Sequence, residues 1–234
     1  MYQGKKILAL IPARGGSKGI KDKNIKPLHG RPLISYSIDC GLQSKYVDSV
    51  VVTTDSEKIA EVSRTFGARV PFMRPAEYAL DTSPTVDAVW HALQTLKEMG
   101  ESYDVLLLLQ PTQPLRTSQD VDSAIELYFE KGEADLISVC PVAEHPQLIR
   151  AIHEDGTMHK IFNSPATRRQ DMPAFYRING CIYLNNLAVF NKETGLREYS
   201  VPFIMERSHS VDIDDLADFY LAEYYLNSLE EKNK

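Results

Sequence analysis

The chain has 234 residues and a formal net charge of −6, from 26 Lys and Arg against 32 Asp and Glu. This acidic balance excludes a generally basic nucleic-acid-binding protein. With 43% hydrophobic and 25% charged residues, the composition is that of an ordinary globular protein, and the length suits one large domain. We therefore expect a single folded domain over residues 1–234.

Positive charge is concentrated at the start of the chain. The first 31 residues contain eight Lys and Arg against one acidic residue, a net charge of +7, while the remaining 203 residues carry −13. The eight cations are Lys5, Lys6, Arg14, Lys18, Lys21, Lys23, Lys26 and Arg31. A local excess of cations in an acidic protein favours a confined anionic ligand over a polyanionic surface partner.

The cysteines and the apolar runs bear on the cellular compartment of the protein and on whether it spans a membrane. Cys40, Cys140 and Cys181 are far apart and form no C-x-x-C pair, which supports neither a disulfide framework nor a cysteine zinc site. The longest apolar runs, such as residues 105–109, are far shorter than the roughly 20 residues of a membrane-spanning helix. No signal-peptide pattern opens the sequence. We predict a soluble cytoplasmic protein with buried thiols.

Apolar runs alternate with helical periodicities through the first 140 residues. The runs at residues 7–11, 50–52 and 105–109 are typical of strands buried on both faces of a parallel sheet. Helical spacing of apolar residues predicts helices at residues 33–40, 59–66, 86–96 and 121–128. A further strand follows near residues 136–139. The alternation predicts an α/β fold with right-handed crossovers.

The pattern changes between about residues 145 and 180, where the chain is polar, irregular and rich in Arg, Pro and His. This stretch is longer than an ordinary connection. We interpret it as a small insertion that binds a ligand or contacts a partner subunit. Strand patterns return at residues 181–184 and 211–213, and an aromatic-rich helix at about residues 216–226 closes the domain.

A glycine-rich loop, residues 12–19, follows the first predicted strand. In an open α/β sheet, ligands bind beyond the carboxyl ends of the strands. Glycines let the backbone approach phosphate oxygens, and Arg14, Lys18 and Lys23 add positive charge. The loop is neither a Walker A sequence nor a Rossmann G-x-G-x-x-G. Its place behind a buried strand favours phosphate binding over the alternative of a flexible turn with solvated lysines.

Other polar segments follow the later strands. Residues 81–85 are equally consistent with an N-cap of the next helix and with ligand contact. The loop at residues 110–116 carries amide, hydroxyl and guanidinium groups on a backbone stiffened by proline. Those groups suit hydrogen bonding to a base or a sugar.

Asp212 and Asp214 form a D-x-D sequence near the end of the chain. Alternation along a strand would place both carboxylates on one face, where they can share a hard cation such as Mg²⁺. An N-cap role for Asp214 or Asp215 before the last helix is an equal alternative. The chain has no G-x-S-x-G sequence, and His153 and His159 lack the spacing of a zinc helix.

Five motifs in this order, at residues 11–24, 74–77, 109–116, 175–183 and 212–214, resemble those of the acylneuraminate cytidylyltransferase family, the CMP-sialic acid synthetases. The likeness covers about residues 7–226. It implies a Rossmann-like nucleotidyltransferase fold with a mainly parallel central sheet and a homodimer formed partly through the insertion. It also implies Mg²⁺, with CTP and a nine-carbon 2-keto sugar acid as substrates.

The resemblance also implies a role for individual residues. CTP would be bound by Arg14, Ser17, Lys18, Lys23, Asn24, Arg74, Ser83 and Thr85. The sugar acid would contact Gln110, Arg169, Gln170 and Arg177, and the metal would bind Asp212 and Asp214. Arg14, Lys23 and Asp214 are the residues expected to act in catalysis.

The reaction implied is attack of the anomeric hydroxyl of the sugar acid on the α-phosphate of CTP, with pyrophosphate displaced. N-acetylneuraminate is the expected acceptor. Legionaminic acid is the alternative, because the two sugars differ at C7 and C9 and no motif here reads those positions. The pseudaminic acid and Kdo enzymes differ from this chain around residues 18–21.

Two functions of other classes stay open on the residues alone. A nucleotide-sugar-dependent glycosyltransferase would use residues 212–214 as its D-x-D, although the cation-rich first loop suits a triphosphate better. A non-catalytic nucleotide sensor would tolerate Asp214→Asn with little loss of function, whereas an enzyme would lose metal-dependent turnover.

Overall fold

The computed structural model describes residues 1–16, 19–162, 173–193, 195–196, 199 and 201–232, with side chains up to residue 228. The strands are β1 (Ile7–Pro12), β2 (Pro27–Leu28), β3 (Arg31–Pro32), β4 (Ser49–Thr53), β5 (Val105–Leu108), β6 (Leu136–Pro141), β7 (Arg150–Ile152), β8 (Met158–Lys160), β9 (Tyr176–Asn186) and β10 (Val201–Ile204). The helices are α1 (Leu33–Leu42), α2 (Glu57–Thr65), α3 (Thr85–Glu98), α4 (Ser118–Glu130) and α5 (Leu216–Lys232).

A six-stranded mixed sheet, in the order β10-β6-β9-β5-β1-β4, forms the centre of the molecule. β1 pairs parallel with β4 and β5, and β10 pairs parallel with β6. β9 runs antiparallel to both of its neighbours, β5 and β6. Most pairings are therefore parallel, and the predicted α/β class is confirmed. Because β9 is reversed, its first residues lie at the sheet edge where the parallel strands end.

The two faces of the sheet pack against different helices. On β1, Ile7, Ala9 and Ile11 belong to the apolar cluster that includes α1, α2 and α4 residues, whereas Leu8 and Leu10 belong to the cluster that includes α3. Both faces of β1 are thus removed from water, which explains why its sequence is continuously apolar rather than alternating.

The central sheet contains all of the strands predicted at residues 7–11, 50–52, 105–109, 136–139 and 181–184. The four helices predicted between and after these strands are also present. The strand predicted at residues 211–213 is wrong. That segment has no strand pairing, and its Ile213 N–H donates instead to the carbonyl of Thr112, at 3.0 Å. Val211 and Ile213 nevertheless point into an apolar cluster with α5, so the alternation of apolar and acidic residues reflects real burial.

Strand β10 was not predicted, because its four residues contain Pro202 and alternate between half-buried and exposed. Proline lacks the N–H that a central strand needs and is tolerated at a sheet edge. β10 is such an edge strand, paired with β6 alone in the part of the chain that the structure describes.

The predicted insertion contains a separate β ribbon. β7 and β8 pair antiparallel and do not join the central sheet. Their side chains are mostly exposed, including Ile152 at 78% and Met158 at 71%. An isolated two-stranded ribbon is marginally stable in water, so exposed apolar side chains on it favour contact with another surface. The contact with a partner subunit stays a prediction.

The three cysteines are free and buried, as predicted. Burial raises the pKa of the Cys40 thiol and raises that of Cys181 to about 12, so both thiols are protonated at neutral pH. Among the described helices, none is both long and apolar enough to cross a membrane.

Candidate functional site

A cleft of about 440 Å³ opens at the carboxyl ends of β1 and β5. Of the predicted site residues, it brings together Arg14, Lys23, Asn24, Arg74, Ser83, Thr85, Gln110 and Asp214. Arg177 and Asp212 line a second cleft of about 340 Å³, and Asp214 lines both clefts. The other predicted residues, Ser17, Lys18, Arg169 and Gln170, lie outside the described residues.

The glycine-rich loop is tied to the neighbouring strand β4. The Gly15 N–H donates to Oδ1 of Asp55, at 2.9 Å, and the Ala13 N–H donates to the Thr53 carbonyl, at 3.0 Å. Arg14 extends from this loop and forms an ion pair with Asp81, in which each side chain is 35% exposed. A partly exposed pair of this kind is weak. The guanidinium can therefore exchange its partner for an anionic ligand.

Lys23 and Asn24 lie in the short 3-10 turn that follows the loop. Asn24 is 5% exposed and donates to the carbonyl of Arg14, at 2.9 Å. Its Oδ1 has no hydrogen-bond partner among the described groups, so an acceptor is left at the cleft wall. Lys23 Nζ donates to the Ile213 carbonyl at 2.6 Å and lies 3.6 Å from Asp214 Oδ1. The turn thus connects the loop to residues 210–215, which we call the acidic segment.

Arg74 forms a rigid part of the cleft wall. It is 6% exposed and donates to the carbonyl of Thr53, to its Oγ1 at 3.3 Å and to the Tyr78 carbonyl at 3.4 Å. Burial lowers the pKa of its guanidinium to about 10, with the nearby Arg14 acting in the same direction. The side chain is therefore still charged at neutral pH and held in one orientation.

The segment at residues 81–85 faces the cleft. The N-cap of α3 is Pro84, and no side chain there accepts a hydrogen bond from the helix. Asp81 pairs with Arg14, and Ser83 Oγ donates to the Glu77 carbonyl at 2.7 Å. The alternative that this segment only caps the helix is wrong.

The loop after β5 divides into a cleft side and a buried side. Gln110 lines the cleft and donates to the hydroxyl of Tyr183, at 3.3 Å. Arg116 is 4% exposed and donates to the Cys181 carbonyl at 2.6 Å and to Ser37 Oγ at 2.7 Å. The expectation that this guanidinium binds a base or sugar is wrong, because it joins the loop to α1 and β9.

Asp212 and Asp214 differ in environment. Asp212 is half-buried, and burial raises the pKa of its carboxyl, with the charge of Asp214 acting in the same direction. A hydrogen bond from Thr112 and the charges of Lys23 and Arg177 act in the opposite direction. The side chain of Asp214 is 81% exposed. A cation that binds beside Asp212 would therefore favour the charged form of its carboxyl group.

Asp215, and not Asp214, has the predicted N-cap role at the start of α5. Asp215 Oδ1 accepts from the N–H of Ala217 at 2.8 Å and of Asp218 at 3.1 Å. Asp218 Oδ2 in turn accepts from the N–H of Asp215 at 3.1 Å. This is the reciprocal arrangement of a capping box. The carboxylate of Asp214 takes no part in it.

The chemistry of this segment fits Mg²⁺. Mg²⁺ is commonly held by one or two carboxylates together with substrate phosphates and water. Two carboxylates are present, and among the described residues no group of three or more His, Cys, Asp or Glu side chains could hold an ion. A metal held by these two carboxylates would therefore need phosphate oxygens and water as its remaining ligands.

The second cleft lies on the other side of the acidic segment. Arg177 lines it and donates to the Ser210 carbonyl at 3.0 Å. Asn179 is buried, donates to Ser210 Oγ at 2.9 Å and accepts from Ser138 Oγ at 2.6 Å. Asn179 therefore supports the start of the acidic segment, and Arg177 faces the cleft. Sequence reasoning missed Arg207, which also lines this cleft, because no motif contains it.

Comparison with known proteins gives a consistent result. The model of the family described as Cytidylyltransferase matches residues 8–231. The CMP-N,N'-diacetyllegionaminic acid synthase of Legionella pneumophila is 35% identical over 93% of this chain and 95% of its own length. An N-acylneuraminate cytidylyltransferase of Escherichia coli is 34% identical over 93% of this chain, which spans 51% of that protein.

A solved structure of CMP:2-keto-3-deoxy-manno-octonic acid synthetase complexed with CTP is similar in fold. The TM-score is 0.71 at 16% identity, over 95% of this chain and 99% of that one. The likeness supports the Rossmann-like architecture. With the family match over nearly the whole chain, it follows that this chain belongs to the cytidylyltransferase family and is a nucleotidyltransferase.

Proposed function

We propose that this enzyme transfers CMP from CTP to a nonulosonic acid, with release of pyrophosphate. The observation that carries the proposal is the position of Asp214, which lines both the cation-rich cleft and the arginine-lined cleft. One cleft would hold the nucleotide and the other the sugar acid, so that the reacting groups meet at the acidic segment.

The nucleotide binds in the first cleft. Arg14, Lys23 and the loop residues Ser17 and Lys18 bind the triphosphate, and Asn24 is part of the same wall. The base and ribose contact Arg74, Ser83 and Thr85. The fixed orientation of Arg74 supports this assignment, because a preorganised donor loses little entropy on binding.

The sugar acid binds in the second cleft. Arg177 meets its carboxylate, since a planar guanidinium can bind a carboxylate through two parallel hydrogen bonds. Gln110 lines the first cleft, so the sugar extends past the acidic segment to reach it. Arg169 and Gln170 contact the rest of the sugar. The anomeric hydroxyl is thereby directed toward the α-phosphate.

In the reaction, the hydroxyl oxygen forms a bond to the α-phosphorus, the bond between the α-phosphorus and the bridging oxygen breaks, and the hydroxyl proton is released. Arg14 and Lys23 stabilise the negative charge that develops on the departing pyrophosphate. Loss of one such contact is expected to cost on the order of 10²- to 10³-fold in kcat. Mg²⁺ bound through Asp212 and Asp214 would neutralise phosphate charge and lower the pKa of the attacking hydroxyl.

N-acetylneuraminate is the proposed acceptor, with a legionaminic acid as the alternative. The named legionaminic acid relative matches along 95% of its length and the named neuraminate relative along 51% of its length, at nearly equal identity. The relatives therefore do not distinguish between the two acceptors. A homodimer with the β7–β8 ribbon at the interface is part of the proposal and is supported by the exposed apolar side chains of that ribbon. A cytoplasmic location completes the proposal.

A substrate panel tests the function. Pyrophosphate release is measured with each of the four ribonucleoside triphosphates against N-acetylneuraminic, N,N'-diacetyllegionaminic, pseudaminic and Kdo acids, with and without Mg²⁺. We expect release with CTP and a nonulosonic acid in the presence of Mg²⁺. Absence of release with all of these acids would refute the proposal, and hydrolysis or transfer from a ready-made CMP-sugar would point to the glycosyltransferase alternative.

A further inference from the structure

Gly19 lies directly against the backbone of Asp214. A Cβ atom at position 19 would be 2.6 Å from the carbonyl oxygen of Asp214 and 3.8 Å from its carbonyl carbon. The close approach of the two backbones is therefore the reason that glycine is required here.

A second contact joins the same two parts of the chain. Lys23 Nζ donates to the carbonyl of Ile213, at 2.6 Å, and the Lys23 side chain is only 15% exposed. Two successive backbone carbonyls, those of Ile213 and Asp214, thus contact residues 19–23. The loop proposed to hold phosphate and the segment proposed to hold metal are in direct contact.

The backbone of the acidic segment is held from other sides as well. The Ile213 N–H donates to the Thr112 carbonyl at 3.0 Å, and the Asp214 N–H donates to Asp218 Oδ2 at 3.0 Å. Ile213 is fully buried, while the Asp214 side chain is 81% exposed. The position of the Asp214 carboxylate is therefore set by its backbone, which is fixed by these two hydrogen bonds and by the burial of Ile213.

We infer that Gly19 is a positioning residue, which sets the distance between the phosphate loop and the Asp214 carboxylate so that one metal ion can contact both this carboxylate and a phosphate held by the loop. The inference rests on the proposed function. A methyl group at position 19 would have to move away from Asp214 by about 0.8 Å to reach ordinary van der Waals contact. A misplacement of about 1 Å in a catalytic arrangement can cost on the order of 10²-fold in rate.

The test compares Gly19→Ala with Gly16→Ala in the full chain. A Cβ at Gly16 would have no atom of the described residues within 4 Å, so Gly16→Ala adds the same methyl group to the same loop without touching the acidic segment. Amide hydrogen exchange is measured over residues 210–216 without metal or nucleotide. Mn²⁺ binding is measured by electron paramagnetic resonance in both variants and the wild type.

We expect Gly19→Ala to exchange the Ile213 and Asp214 amides about tenfold faster than wild type, because their hydrogen bonds lose their support. We also expect its dissociation constant for Mn²⁺ to rise about tenfold, since carboxylates bind well only in a fixed geometry. Gly16→Ala keeps wild-type values in both measurements. Circular dichroism checks that each variant is folded.

Wild-type exchange and Mn²⁺ affinity in Gly19→Ala would overturn the inference, as would a general loss of folded structure or equal changes in Gly16→Ala. The proposed function fails separately, if wild-type protein neither releases pyrophosphate from CTP nor binds Mn²⁺. In that case the exchange measurement still decides whether Gly19 positions the acidic segment.

Discussion

Replacing Asp214 with asparagine separates the chemistry of the site from the stability of the fold. The Asp214 carboxylate is 81% exposed, and its ion pair with Lys23 is 3.6 Å long. Exposed pairs of this kind contribute about 0–1 kcal/mol. For a domain of this size, a change of 1 kcal/mol shifts the Tm by about 2–4 °C. The Asp214→Asn protein should therefore unfold within a few degrees of wild type.

Its turnover should fall much further. Asparagine keeps the backbone N–H that donates to Asp218 but removes the negative charge proposed to hold Mg²⁺. By analogy with the loss of one preorganised charge contact, kcat should fall on the order of 10²- to 10³-fold. The assay is pyrophosphate release from CTP and N-acetylneuraminate, or N,N'-diacetyllegionaminate if that is the better acceptor, across a range of Mg²⁺ concentrations.

Asp215→Asn is the matched control. It removes the same charge from the next residue, and the asparagine oxygen can still accept the hydrogen bonds from Ala217 and Asp218 that cap α5. Its turnover should stay close to wild type. A turnover of Asp214→Asn within threefold of wild type, or an equal loss in Asp215→Asn, would show that the reasoning is wrong.

Three further outcomes are expected. Arg116→Met should lower the free energy of unfolding in urea by about 3 kcal/mol, because two buried acceptors lose their donor; a loss below 1 kcal/mol would contradict the structural role of Arg116. The hydrogen bond with Asp120 raises the pKa of His209. This bond therefore stabilises the folded state fully at pH values below the pKa of the histidine in the unfolded chain. The stabilisation is lost as the pH rises through the pKa of His209 in the folded chain. Urea unfolding between pH 5.5 and 8.5 should therefore show a stability loss that His209→Gln lacks, and equal pH profiles would refute it. Ile152→Asp on the exposed face of the β7–β8 ribbon should yield a monomer in light scattering, whereas a wild-type monomer would refute the proposed dimer.

The sequence predicted the buried strands well, because each lies between two helical layers and must be apolar on both faces. The sequence also indicated that the glycine-rich loop lies at the ligand edge, and the structure places its Arg14 in the cleft. The binding of phosphate by this loop stays a prediction. The edge strand β10 escaped prediction because one side of it has no neighbouring strand in the described structure, and its pattern is correspondingly weak.

The roles of single polar residues were harder to predict, because they depend on contacts between distant parts of the chain. Arg116 follows a polar loop in sequence, yet its partners are Cys181 and Ser37, which lie 65 and 79 residues away. Asp81 is paired with Arg14 across 67 residues. No local pattern distinguishes a buried structural arginine from one that binds a ligand.

The reversed direction of β9 has a consequence for how the site can vary. Because this strand begins at the ligand edge, its second residue, Arg177, lies at that edge, near the end of the insertion at residues 145–180. The nucleotide side of the site, by contrast, comes from loops after β1 and β4 that lie far from the insertion in sequence. With the sugar acid in the second cleft, as proposed, changes in the length or composition of the insertion would affect the acceptor first. The fold would then allow the choice of sugar to change while the residues proposed to bind CTP stay the same.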